Sequence, residues 1–380
     1  CFKLKNVDIP DTVTTIGFCA FQDCGIESIT LPNTITSISF GAFQACKNLE
    51  SIVLSNQLDE ISDQAFWRCV SLKSINIPDS VKIISCKAFY ECKKLKSITL
   101  PNSLTIIGEE AFGNCTDLES ITIPDSVTII DKGAFKGCKN LKDITIPNSV
   151  TLIDLSVFEN CESLERIKLP ERVTEIRNSA FEGCRSLKNI TLPNALISIG
   201  CYAFDECTSL ESIEIPYGTT DIGHYAFHQC KSLKSITLPN SLYYIGAHAF
   251  NNCESLEHIK LPDSIDKIYN NTFAGCRSLE YITIPDTIKS IGGYAFSECT
   301  SLENLEIPYG VTDIGFMAFY HCKNLKNITI PTSLHYINSY AFSECESLET
   351  VTIISDSTSK TIDVRGLDLD TMDQWIFLLF

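Results

Sequence analysis

Cysteine, histidine and paired carboxylate are the residue types in this chain whose spacing could support chemistry. There are nineteen cysteines and six histidines in 380 residues. Sixteen cysteines fall on one lattice: Cys46 to Cys345 is fourteen cysteines at intervals of 23 residues, and Cys1 and Cys24 extend the row, with one residue deleted after Cys24. If successive lattice cysteines stand on neighbouring strands, their Cα atoms lie about 5 Å apart, within disulfide reach, but their side chains point in parallel. A zinc store needs convergent ligands, usually spaced C-x-x-C, and no such pair occurs. The spacing therefore reads as a row of buried free thiols packed as small apolar groups. Cys19, Cys86 and Cys201 fall off the lattice and are expected to be exposed.

The other chemistries are no better served. His224 and His228 are four residues apart, with no obvious third ligand nearby. Glu214 and Glu306 share a lattice column but stand four units apart, about 19 Å at ordinary strand spacing. Glycosidase carboxylates work at about 5–9.5 Å, so this pair cannot cleave a sugar bond. No HExxH, P-loop, GxSxG or EF-hand pattern is present. Asn114, Asn189, Asn270 and Asn327 open N-x-[ST] patterns, short enough to arise by accident. These observations point to a chain that is not an enzyme and binds no cofactor or metal.

The lattice itself dictates the elements. All fourteen prolines and fifteen of the twenty-one phenylalanines repeat with the cysteines, giving C-x-x-L-x-x-I-x-I-P-x-x-[VLI]-x-x-I-x-x-x-A-F-x-x. In Leu95–Leu100, Ile98 and Leu100 alternate with Ser97 and Thr99, the period of a half-buried strand. Pro101 ends it, because proline cannot donate to a ladder. Asn102–Ser103 makes a turn, Leu104 and Ile107 return to the core, and Ala111–Phe112 with Cys115 close the unit, expected as a helical or 3₁₀ corner. One unit cannot bury its apolar side alone, whereas stacked units share a continuous core.

This unit resembles the BspA-like leucine-rich repeat, with its I-x-I-P, A-F and C-x-x-L elements, over about residues 1–353. The resemblance implies a repeat solenoid: a right-handed leucine-rich-repeat coil with a parallel β-sheet on the concave face and short strands or 3₁₀ turns on the other sides. It implies surface proteins of bacteria and some protists, used in adhesion and protein–protein contact, with no catalytic residues to carry over. The expected domain organisation is a single solenoid of about sixteen 23-residue units over 1–353. Residues 354–380, where Ile354 replaces the lattice proline and the chain ends in Trp375–Phe380, are expected to be a cap or a truncated continuation.

A longer repeat is superimposed. The residue after each lattice cysteine runs Thr, Lys, Glu, Arg from Thr116 to Arg185 and again from Thr208 to Arg277, and 207–257 matches 299–349 at 34 of 51 positions. The residue after the lattice leucine alternates in charge from Lys96 and Glu119 to Lys234 and Glu257, which reads as register control between neighbouring turns.

Function must then reside in surface columns. Twelve of thirteen tyrosines follow residue 200. On the strand side, Tyr217 and Tyr309 replace the usual Asp or Asn after proline, beside His258 and Tyr281, with Glu214, Lys260 and Glu306 as the charges. A second column, just before the A-F alanine, reads Tyr202, Tyr225, His248, Asn271, Tyr294, Met317, Tyr340. Tyrosine offers a large rigid contact area and is enriched at binding hot spots. The expected function is protein recognition or adhesion on a cell-surface or secreted protein, the partner being a host or extracellular-matrix protein. The alternatives are a glycan-binding module, or an intracellular scaffold in the cytoplasm, which the many free thiols favour.

A formal charge of −17 argues against nucleic acid and anionic membrane surfaces and tilts the chain towards basic or neutral partners. No apolar run approaches eighteen residues, so no membrane insertion is expected within 1–380. The chain begins at Cys1, already in repeat register, and so reads as part of a longer product.

Overall fold

The computed structural model describes residues 2–355 and 358–366. The chain divides into two compact stretches, Cys1–Ala195 and Leu196–Phe380. Each is a solenoid of stacked parallel-strand turns, the two together counting about fifteen. Most turns carry the same parts, the three-residue strand being reduced to a single bridge at Ser120 and not formed over 187–192, and the turn that begins at Cys92 shows how the sequence makes them. Ser97–Thr99 is a strand whose residues are exposed, buried and exposed in order. It pairs in parallel with Ser74–Asn76 one repeat earlier, Ile75 beside Ile98. Beyond Pro101, the Leu104 N–H donates to the Pro101 carbonyl at 3.1 Å and closes the turn. Ile106–Ile107 then forms a second short strand, flanked by Ile83–Ile84 on one side and Ile129–Ile130 on the other. Two parallel ladders therefore recur through each stretch: a strand face built on the three-residue strands and a second ladder built on the two-residue ones.

The helical or 3₁₀ corner expected after the second strand is not formed. Among the described residues there is no helix, and Glu109–Asn114 is a series of turns. The reason lies in the backbone: Glu110 and Asn114 have φ of 49° and 56°, in the left-handed region, and no right-handed helix can run through them. The same two positions are left-handed in nearly every turn, at Lys87 and Glu91, Ser156 and Asn160, Tyr225 and Gln229. Glycine fills both at Gly133 and Gly137. The alternation turns successive N–H groups in different directions. Glu110, Phe112 and Asn114 donate to Lys132, Ala134 and Lys136 of the next turn, while Ala111, Gly113 and Cys115 donate within their own turn. The corner thus satisfies its backbone without a helix.

Phenylalanine and cysteine make the centre of each stretch. In the first, the rings from Phe21 to Phe181 stack with centroids 5.2–5.8 Å apart and planes within 14°. In the second, Phe204 to Phe342 stack at 5.0–5.5 Å. The lattice thiols from Cys46 to Cys184 and from Cys230 to Cys345 reach the carbonyl of the phenylalanine one turn back, as Cys69 Sγ does to Phe43 at 3.1 Å and Cys230 Sγ to Phe204 at 3.2 Å. The thiols are more than small apolar groups: they donate a hydrogen bond between turns. Burial raises the pKa of the lattice thiols from Cys69 to Cys161 and from Cys230 to Cys322, Cys138 and Cys276 to about 12, so the S–H that donates is retained there. The lattice cysteines from Cys24 to Cys322 form no disulfide and are buried, and the last of the row, Cys345, is half-buried, as are the off-lattice Cys19, Cys86 and Cys201, which were expected to be exposed.

At the C-terminal end the ladder changes character. The strand extends to Thr350–Ile354 and pairs in parallel with Asn327–Pro331, itself five residues long although it keeps the lattice proline. Ser359–Asp363 then returns antiparallel along its free edge, and Val364 is buried. The run Trp375–Phe380 lies outside the described residues.

Candidate recognition surfaces

Both tyrosine sets lie in the second stretch, on different sides of its turns. On the strand face, His258 and Tyr281 occupy the same position of neighbouring strands, His258–Lys260 and Tyr281–Thr283. Strand register places the rings over one another, with centroids 4.1 Å apart and planes 17° from parallel. Tyr281 remains 57% exposed. Two residues on, the charged column is diluted by threonine: Glu214 pairs with Thr237, Lys260 with Thr283 and Glu306 with Thr329. Glu214, Lys260 and Glu306 are thus held apart on exposed strand positions. Tyr217 and Tyr309 project from the turns after Pro216 and Pro308, 83% and 45% exposed. At four turns apart, about 19 Å, they do not meet. Of the seven residues expected on this face, the structure brings His258 and Tyr281 into ring contact and leaves the rest as separate exposed points.

The second column behaves differently. Tyr202, Tyr225 and His248 stack, at 4.8 Å and then 4.3 Å, with planes within 9°. All seven residues of the column, through Tyr340, are at the first left-handed position of their turns, with φ between 51° and 62°. A bulky side chain there carries backbone strain that glycine would avoid. The rings recover part of that cost by covering one another, worth about 0.5–1.5 kcal/mol per pair. Asn271 interrupts the ladder, and Tyr294 and Tyr340 instead meet Phe316 edge-on, at 5.5 Å and 6.1 Å.

Polar groups close in on this side of the turns. Asp205 and His228, 23 residues apart in one lattice column, contact at 2.8 Å, and His228 meets the edge of Tyr225. His224 Nδ1 accepts the Ala247 N–H at 3.0 Å and its Nε2 lies 3.1 Å from the Tyr244 hydroxyl. With both ring nitrogens of His224 and Nδ1 of His228 engaged, the pair has little capacity left for a metal, and among the described residues no three His, Cys, Asp or Glu are placed to hold one. Burial, followed by the neighbouring His228 and His224, lowers the His248 pKa. Phe316, Tyr244 and the Asp205–His228 pair lie outside the two tyrosine columns, although the 23-residue spacing of Asp205 and His228 marks them as neighbours.

The charge columns resolve into ion pairs at selected places. After the leucine, Lys5–Glu27, Lys73–Glu50, Lys96–Glu119 and Lys326–Glu303 approach within 2.7–3.9 Å. The four-unit Thr-Lys-Glu-Arg order places Lys139 on Glu162, Lys231 on Glu254 and Lys323 on Glu346 at 2.9–3.4 Å. These are exposed pairs and each contributes little to stability.

The two ladders, the repeated buried leucines and the absence of helix among the described residues define a leucine-rich-repeat solenoid. The BspA type leucine rich repeat region, in six copies, matches residues 1–77, 59–187, 151–280 and 266–364, and the chain belongs to that family. A leucine-rich repeat protein from Bacteroides ovatus is 37% identical, covers 85% of this chain and 86% of its own, and superposes with a TM-score of 0.80. A leucine rich cell surface protein from Faecalibacterium prausnitzii is 30% identical over 87% of this chain and 88% of its own, with a TM-score of 0.50. A leucine-rich repeat protein from Eubacterium ventriosum, 22% identical over 88% and 86%, with a TM-score of 0.52, shares the fold. Comparison with curated proteins yields no match.

Proposed function

We propose that this chain is a non-catalytic recognition scaffold, a cell-surface or secreted adhesin whose strand face in the second stretch binds a protein partner. The family is consistent with an interaction scaffold, and the description of the Faecalibacterium relative as a cell surface protein supports the location. The observation that carries the reading is the contrast between the two tyrosine sets. Tyr217, Tyr281 and Tyr309 leave ring surface to solvent, whereas Tyr225 and His248 spend their ring faces on each other. Tyr225, covered on one side by Tyr202 and on the other by His248, offers only its edge to a partner, whereas Tyr281 is covered by His258 alone and Tyr217 and Tyr309 meet no ring among the described residues. The strand-face tyrosines are the binding set, and the left-handed column is chiefly a strut. Glu214, Lys260 and Glu306 orient the partner along the ladder.

The test is capture of purified extracellular-matrix proteins by immobilised whole chain. Replacing Tyr281 and Tyr309 by Ser weakens capture by at least about tenfold, or ~1.4 kcal/mol, with an unchanged circular dichroism spectrum. Capture that survives the double replacement while the Tyr202→Ser/Tyr225→Ser variant loses it would move the site to the turn column.

A further inference from the structure

We infer that the partner presents a basic segment, with an arginine side chain laid on Tyr281 against the carboxylates of Glu257 and Glu280; this rests on the reading of the strand face as the recognition surface. The starting point is a break in the charge column that follows the lattice leucine. In the first stretch like neighbours are relieved from outside: Glu27 and Glu50 are adjacent in the column, but Lys5 holds one and Lys73 the other. In the second stretch Glu257, Glu280 and Glu303 follow one another on successive turns. The Glu280 N–H donates to the Glu257 carbonyl at 3.0 Å, so the two residues are direct neighbours. Glu303 is held by Lys326 at 3.1 Å. Among the described residues Glu257 and Glu280 have no ion-pair partner, and Glu280 has a glutamate on either side.

Like charges directly opposite on neighbouring strands oppose folding. Nothing in the core requires them, since the column is exposed and other turns carry lysine there. The next residue after Glu280 is Tyr281, whose ring lies on His258 by one face and meets no other ring or cation among the described residues. Glu257 has Lys234 as its column neighbour on the other side, its N–H donating to the Lys234 carbonyl at 3.2 Å, but among the described residues the two form no ion pair. An exposed aromatic face next in sequence to Glu280, with Glu257 one turn back, is the complement of a guanidinium, which stacks flat and donates in a planar fork. Lys260 stands two residues beyond His258 on the same exposed side of its strand. The face is therefore polarised across the aromatic pair, with carboxylates at one edge and an ammonium at the other. That polarity confines the partner's cation to the Glu257–Glu280 edge and orients the segment. The overall charge of −17 draws such a segment in.

The experiment measures fluorescence anisotropy of labelled Arg-Ser, Glu-Ser and Gln-Ser repeat peptides with the whole chain at physiological ionic strength, with hydroxyl-radical footprints of each complex. The Arg-Ser peptide binds and protects Tyr281. The Glu257→Gln/Glu280→Gln variant binds it about tenfold more weakly and Tyr281→Ser about threefold more weakly. Asp79→Asn/Asp125→Asn, the same charge change on exposed turns of the first stretch, costs less than about twofold. Serine occupies the Tyr281 position at Ser212 and Ser235, so that variant is expected to keep the fold. Equal losses in the two charge variants, or no binding of the Arg-Ser peptide, would overturn the inference. If the Glu-Ser or Gln-Ser peptide binds better and protects the strand face, the basic partner is wrong and the strand-face reading stands. If every footprint falls away from the strand face, both are wrong.

Discussion

Raising the pH from 8 to 10 tests the thiol row through its effect on stability. A lattice thiol such as Cys138 is fully buried in the folded chain, and burial raises it from the ordinary value of 9.0 to about 12. Because the folded value lies above the unfolded one, the group's stabilising contribution is complete below about pH 9 and is lost as pH climbs towards 12. At pH 10 the unfolded thiol is about nine-tenths ionised and the folded one hardly at all. Each thiol released on unfolding then favours the unfolded chain by ~1.4 kcal/mol relative to pH 8. Cys161 on the next turn is also raised well above its ordinary value. The pair therefore accounts for ~3 kcal/mol of the alkaline loss in any segment that unfolds with both turns. The assay is urea denaturation followed by far-UV circular dichroism at both pH values, for the native chain and for Cys138→Ala/Cys161→Ala. Tyrosine and lysine titration is common to the two proteins and cancels in the difference. The variant should be less stable at pH 8, having lost the bonds to the Phe112 and Phe135 carbonyls, and should fall less steeply with pH by about 3 kcal/mol. The same pH dependence in both proteins would refute the protonated, donating thiol row.

Three further outcomes follow from the packing. Phe112 stacks between Phe89 and Phe135 at 5.5 Å, so Phe112→Ala costs ~3–5 kcal/mol. Hydrogen exchange should accelerate mainly in the turns on either side of it, because a solenoid turn contacts only its neighbours; uniform acceleration along the chain would contradict the one-dimensional packing. Thiol labelling of native protein should modify Cys19, Cys86, Cys201 and Cys345 before any of the buried row, and rapid reaction of ten or more thiols would show the row to be accessible. Gly133 has φ of 62° and a Cβ there would meet Glu110 Cγ at 2.9 Å, so Gly133→Ala lowers stability by ~1 kcal/mol in chemical denaturation; a stabilised variant would mean the corner is not left-handed.

Much of the fold was legible because one lattice encodes it. Ile98 between Ser97 and Thr99 is enough to place a strand with its buried and exposed sides, and a shift of 23 residues is enough to pair Ile75 with Ile98. The corner is not legible in the same way, because most residues at its left-handed positions, Lys87, Glu91 and Glu110 among them, carry no sign of that conformation. The sign was present in other copies: Gly137, Gly183 and Gly275 alternate with Asn114, Asn160 and Asn252 in the position before cysteine, the residue types that enter the left-handed region most readily. On the surface, spacing identifies which residues are neighbours, as with His258 and Tyr281. Spacing does not reveal whether a neighbour covers a ring or leaves it open. That depends on backbone direction: the left-handed turn positions lay Tyr202, Tyr225 and His248 over one another, and the turn after proline sends Tyr217 out into solvent. The charge column showed the limit in another way. Alternation from Lys96 to Glu257 is plain in the sequence, yet within that run only Lys96–Glu119 forms an ion pair among the described residues, while Lys73–Glu50 and Lys326–Glu303 pair outside it, where long exposed side chains meet.

The assignment of recognition to the strand face is tested most directly by one comparison on random peptides selected for binding to the whole chain. Their affinities are measured for Tyr217→Ser/Tyr281→Ser/Tyr309→Ser and for Tyr202→Ser/Tyr225→Ser/Tyr294→Ser, each first shown to keep its circular dichroism spectrum. The strand-face variant should lose at least about tenfold, ~1.4 kcal/mol, and the turn-column variant less than about twofold. The reverse order, with the turn column carrying the loss and the strand face neutral, would contradict the account.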